Sequence, residues 1–235
     1  MAQHALLNNI EHRDLRIDTA RDAALGDDVM FAITFPAEFR NVQAYYPIVF
    51  RKTAEGAFQP VALFGFQEGR NLFLQDGRWD AAYLPLAIER QPFLIGRDGE
   101  ELMVHIDLDH PRARTGQGEV LFREQGGTTE FLDRITSVLL ALHDGLQATP
   151  AFVDALLRHE LLESFALDAE LADGTVNRLV GFYTINEERL RGLDGAALQQ
   201  LHRDGHLEPV YMAMASVSRF RDLIDRMNRS HAAGR

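Results

Sequence analysis

The chain has 235 residues, no cysteine and a formal net charge of −11. Without cysteine it forms no disulfide, no thiolate metal site and no cysteine nucleophile, and so acidic a balance argues against nucleic-acid binding, which needs a basic face. No uninterrupted run of about 18 apolar residues is present, so no membrane insertion is expected; the first residues lack a basic leader followed by an apolar core, which makes the cytoplasm the expected compartment.

In chain order, His12-Arg13-Asp14-Leu15 matches the start of a kinase catalytic loop. Thr19 stands where that loop needs asparagine, and no Gly-rich loop fits upstream, so the match is set aside. Residues 29–35 predict a first strand ended by Pro36, with a helical turn over 37–42. Three short apolar runs follow at 47–50, 61–66 and 71–74, separated by segments carrying Glu55-Gly56, Glu68-Gly69 and Asp76-Gly77. Their length and punctuation predict an antiparallel meander. Residues 79–90 read as a helix that Pro85 kinks or interrupts. Two further strands, 93–96 and 102–108, flank a turn at 97–100.

Residues 109–127 lose the pattern and mark an internal boundary. Beyond it, Phe131, Leu132, Ile135, Val138, Leu139, Leu142 and Leu146 share one helical face. Gly145 is placed to end that helix, and Thr149-Pro150 to start another carrying Phe152, Val153, Leu156, Leu157 and Leu161, which predicts an αα-hairpin. Residues 165–171 and 176–185 flank Asp173-Gly174 as a β-hairpin. Asn186 and Asp194 read as helix caps, Gly205 as a helix end, 207–215 as a strand, and Val217, Phe220, Leu223, Ile224 and Met227 as a last amphipathic helix, with 228–235 frayed. The expected class is α+β: an N-terminal antiparallel meander sheet, a helical hairpin, and a smaller C-terminal sheet with short helices. One domain over 1–235 is expected, with a β-rich subregion 1–108 and an α/β subregion 128–230.

Chemistry concentrates in two places. His105 and Asp107, with Asp109, alternate along a predicted strand, as a His-x-Asp metal half-site requires; a facial triad would add His143 or His159. The second place is aromatic: Tyr45, Tyr46, Trp79, Tyr83 and Phe93 lie near Asn71, Asp80, Arg78 and Arg90. Such sets make ligand pockets and also make cores. Trp79, Tyr83, Arg90, Asn71, Asp80 and Tyr46 are the candidate binding residues. Glycine pairs at 116–118 and 126–127 lack the third glycine of a dinucleotide fingerprint, and no Gly-x-Ser-x-Gly elbow exists. No cofactor is expected.

The phrases YPIVFRK, FQPVALFGF, NLFLQDGRWDAAYLP and RQPFLIG, in that order, resemble the SapC family of bacterial proteins. The later pieces EVLFREQGGTTEFLDRI, FVDALLRHELL and GFYTINEERLRGLDGAALQQLHRDGHLEPVYMAMASV are similar to that family's C-terminal part, so the resemblance covers nearly the whole chain. It implies a family named for a surface-layer-associated protein, whose members are often encoded near outer-membrane receptors, flavin-dependent halogenases and cupin-like hydroxylases. It implies no reaction or catalytic residue. The peptide-transporter permease of the same name is excluded, because a permease needs several membrane spans. Three readings stand open. One is a non-catalytic accessory protein that engages a peptide or protein partner through the Trp79 region. Another is a metal-dependent enzyme, oxygenase-associated or hydrolytic, that uses His105 and Asp107. The third is a surface-layer component. A homo-oligomer is compatible with all three.

Overall fold

The computed structural model describes residues 3–75, 77–99, 101–170 and 174–233. Along the chain run β1 (His4–Leu6), β2 (Leu15–Ile17), β3 (Phe31–Ile33), α1 (Phe39–Val42), β4 (Ile48–Lys52), β5 (Phe58–Leu63), β6 (Leu74–Gln75), β7 (Arg78–Trp79) and α2 (Leu86–Glu89). They are followed by β8 (Phe93–Asp98), β9 (Glu101–Asp107), β10 (Ala113–Thr115), β11 (Glu119–Val120), α3 (Glu130–Arg158), β12 (Leu162–Glu170), β13 (Val176–Ile185), α4 (Glu187–Arg191), α5 (Gly195–Arg203), α6 (Leu207–Ser216) and α7 (Arg219–Ala233). The class is α+β, as its antiparallel sheets and separate helices require. These elements fall into two compact units that interleave in sequence rather than follow one another.

The first unit comprises residues up to Asp28, Leu74–Trp79 and Leu86–Asp144. Its sheets are β1-β9-β8 and β10-β2-β11, with the β6–β7 hairpin beside them in sequence. Ile17, Phe93, Ile106 and Leu121 pack with Leu132, Ile135 and Leu139 of α3 into one apolar core. The expected strand pair around 97–100 is present, with Phe93 opposite Ile106 and Arg97 opposite Leu102; Glu100 lies outside the described residues. A buried ion pair ties the loops. Arg112 is 1% exposed and donates to the carbonyls of Asp18 (2.9 Å) and Ala20 (2.6 Å) and to Asp27, itself fully buried. The backbone N–H of Arg112 donates to Nδ1 of His110 at 3.2 Å.

The second unit comprises Val29–Phe73, Asp80–Pro85 and Gly145–Arg235. Its five-stranded sheet has the order β12-β13-β4-β5-β3, antiparallel throughout. The C-terminal hairpin therefore extends the N-terminal strands instead of forming a smaller sheet of its own. Phe182 stands opposite Arg51 and Tyr183 opposite Phe50. On one face Phe165 stacks on Phe220 of α7, ring centroids 5.0 Å apart. The opposite face carries Ile48, whose N–H donates to Ser216 of α6, and Phe50, whose ring lies near Phe152 of α3.

Five further expectations are corrected. The helical hairpin is one helix, α3, with Pro150 inside it. Gly145 does not end it. A Cβ at Gly145 would sit 2.1 Å from Cδ2 of the buried Phe35 ring, so the glycine serves a close approach. Thr149 is likewise no cap: its hydroxyl donates back to the Gly145 carbonyl at 2.8 Å. Residues 207–215 are helical because Pro209, Val210, Ala213 and Ser216 are the buried ones, a spacing of one helical face. In the meander, the third run contributes only Leu74 and Gln75, which pair with Arg78 and Trp79. Helix then begins at Leu86, after Pro85, in place of a helix over 79–90. The tail is ordered further than expected, α7 continuing to Ala233. Asn186 and Asp194 do cap, accepting from the N–H groups of Arg189 and Ala197, both at 2.8 Å.

Candidate binding site

Helix α7 buries Phe220, Leu223 and Met227 and presents Arg219, Asp222, Arg226 and Arg229 on a second face, at steps of three and four. Arg219 pairs with Asp222 one turn on, at 3.0 Å. Arg226 is held more firmly. Its guanidinium lies 4.1 Å from the centroid of the Phe73 ring, and its fork donates to Oδ2 of Asp80 at 2.6 Å and to the Asp80 carbonyl at 2.8 Å. A planar cation stacked on an aromatic face and bound bidentately has few rotamers left, so it is preorganised.

Behind Phe73 the support is buried. Asn71 accepts from the Phe73 N–H at 2.9 Å, and the Asp80 N–H returns to the Phe73 carbonyl at 2.7 Å. Tyr46 is fully buried, its ring 4.7 Å from that of Phe73, and its hydroxyl donates to the Tyr83 carbonyl. The Tyr83 hydroxyl donates to Oε1 of Glu38 at 2.9 Å, and Thr34 donates to Oε2 at 2.7 Å. Glu38 is 3% exposed. A buried carboxylate needs such donors, and here they fix the turn that carries Tyr83.

The result is a cleft of about 330 Å³, floored by Ala44, Tyr45 and Phe73 and walled by Arg219, Arg226 and Arg229, with Asp222 and Asp225 between the arginines. A second cleft in the same unit has the same volume and includes Pro36, Phe152, His206 and Met212. Its lip is an ion pair of Arg40 with Glu208, which already satisfies both charges.

The six sequence candidates are placed unequally. Tyr46, Asn71, Asp80 and Tyr83 come together around Phe73 within the second unit. Tyr46 and Asn71 act as buried supports, Tyr83 is half-buried and Asp80 is exposed. Trp79, half-buried on β7 opposite Leu74, and Arg90 belong to the first unit. Burial lowers the Arg90 pKa, and its Nη1 donates to the Phe93 carbonyl at 2.7 Å. Sequence reasoning missed Arg219, Arg226 and Arg229; their repeat along an otherwise amphipathic helix was the available signal.

The metal candidates do not assemble. The His105 ring occupies the space over Gly96, where a Cβ would lie 2.2 Å from Nδ1. Oδ1 of Asp107 accepts from the Asp109 N–H at 3.1 Å, closing a turn. Among the described residues no three His, Asp or Glu side chains converge as a metal set. No helix among them is long and apolar enough to cross a membrane.

A family model, SapC, matches residues 7–223. The chain belongs to the SapC family. The match takes in every residue of the cleft floor and the first turn of α7, while Arg226 and Arg229 lie just past its end. No curated protein and no solved structure matches this SapC-family chain.

Proposed function

We propose that this SapC-family protein is a non-catalytic binding protein that docks a segment of a partner protein in the cleft between Tyr45, Phe73 and α7. The observation that carries the reading is Arg226, stacked on Phe73 and forked onto Asp80. An aromatic floor with a fixed arginine is the composition of an interface hot spot, and both signs of charge along the wall suit a polar peptide better than a small anion. A flat or aliphatic side chain of the partner would lie on the half-buried Tyr45, beside Arg226 where it covers Phe73, and its backbone or carboxylates would meet Arg229. Selection of peptides from a random display library against the intact chain tests this. Peptides so selected should bind Tyr45→Ala and Arg229→Glu at least tenfold more weakly than wild type. Equal affinity for all three proteins would remove the cleft as the site.

A further inference from the structure

A different part of the second unit carries an independent inference. Strand β12 is one outer strand of the five-stranded sheet and has nine residues, whereas β3, at the other edge, has three. It pairs with β13 from Leu162 opposite Ile185 to Glu170 opposite Val176. Among the described residues no strand pairs with its other side, and Glu163 to Glu170 make no backbone hydrogen bond outside the β13 ladder. A long bare edge of N–H and C=O groups is a template for another strand.

Side chains alternate along it. Phe165, Leu167 and Ala169 turn inward, with Phe165 on Phe220 and Ala169 fully buried, so the strand is anchored. Ser164, Ala166, Asp168 and Glu170 are exposed on the outer face. Every charged side chain on the strand, Glu163, Asp168 and Glu170, is acidic. Beside them on β13 stand Val176 and Val180, 55% and 57% exposed. Arg178, the only basic neighbour in the register, reaches Asp168 at 3.5 Å in a solvent-exposed pair.

We propose that the β12 edge accepts an extended, basic segment of a partner protein as a sixth strand. Three carboxylates per edge and a net charge of −11 per chain oppose pairing of β12 with a second copy of itself. The same charges attract a segment with lysine or arginine at alternate positions. Two such side chains, two residues apart, would face Asp168 and Glu170 on the neighbouring strand. Backbone pairing supplies the affinity and the charge pattern selects the sequence.

The test uses the intact chain and labelled peptides of about eight residues that alternate Arg and Val, measured by fluorescence anisotropy. Two further peptides carry N-methyl groups on one or the other alternate set of backbone nitrogens. The unmodified peptide should bind, one methylated isomer should bind roughly tenfold more weakly than the other, and a Glu–Val peptide should not bind. Asp168→Lys with Glu170→Lys, both on the exposed face, should abolish binding while circular dichroism stays unchanged. Overturning results are no binding of the Arg–Val peptide, equal binding of both methylated isomers (charge attraction without a ladder), or a dimer of this chain in sedimentation that the double lysine variant dissolves.

Discussion

Replacing Gly145 by alanine sets two effects of opposite sign against each other in the middle of α3. Alanine is the better helix former, and in an open helix the change would stabilise by about 1 kcal/mol. Here the new Cβ would fall 2.1 Å from Cδ2, 2.4 Å from Cε2 and 2.5 Å from Cγ of Phe35. Ordinary carbon contacts begin near 3.5 Å, so the ring must move by more than an ångström, and at 3% exposure it has no free space to enter. Overpacking of a dense core costs roughly 1–3 kcal/mol, and three close contacts at once place this case at the upper end. The expected net loss is about 2 kcal/mol, a fall in urea midpoint on the order of 1 M for a chain of this size. Circular dichroism at increasing urea, in wild type, Gly145→Ala, Phe35→Leu and the double variant, measures it. The double variant should be more stable than the two single losses predict, because the smaller side chain gives the Cβ room. A midpoint that rises in Gly145→Ala, or single effects that simply add, would refute the argument.

In the first unit, Asp27→Asn should cost about 3–5 kcal/mol, since it leaves the Arg112 charge buried without its counter-ion; Trp79 fluorescence during unfolding reads that unit. His110 carries a pKa lowered by burial first and then by the Arg112 charge, with Asp107 and Asp27 opposing. As pH falls, the unfolded chain takes up that proton first, near 6.5, so stability should decline from that pH downward until the folded imidazole is also protonated. His110→Asn, which keeps an acceptor for the Arg112 N–H, should flatten that part of a stability-against-pH curve. Gly77 has φ of +71° and open space where a Cβ would stand, so Gly77→Val meets no clash at Cβ but a strained backbone, and should lower stability by about 1–3 kcal/mol, read as a fall in the denaturation midpoint. The turn partner Asp76 lies outside the described residues.

Local features were legible in the sequence and distant pairings were not. The caps at Asn186 and Asp194, the strands that meet at 97–100 and the pairing of β12 with β13 are set by neighbours close in the chain, and each formed as its residues suggested; Leu171 and Asp173 of the expected hairpin lie outside the described residues. The pairing of β13 with β4 rests on only two residue pairs, Phe182 with Arg51 and Tyr183 with Phe50, more than a hundred positions apart in the chain, and no local pattern announces it. Gly145, Thr149 and Pro150 misled because glycine and proline are read as punctuation, whereas here a ring from elsewhere in the fold needed the missing side chain. In α6, Val210 and Tyr211 favour strand by propensity, but the buried spacing is helical, and Ser216 is needed as a donor to Ala213 and an acceptor for Ile48. The binding residues followed the same rule. Phe73 and Asp80 sat in a stretch whose chemistry stood out, while the arginine that completes them comes from the last helix.

The interleaving of the two units bears on how the chain folds as it is made. A ribosome adds about 5–20 residues per second, so once Leu63 has emerged, roughly a hundred further residues, and several seconds to some twenty, pass before Val176 follows. During that interval β4 and β5 lack β13, and the apolar faces of Val49, Phe50, Val61 and Leu63, fully buried in the finished protein, wait without α6 or α7. The first unit ends at Asp144 and has all its residues earlier. Nascent second-unit strands are therefore the segment on which a chaperone would act, and a stalled or truncated chain that stops before β13 would expose them for as long as it persists.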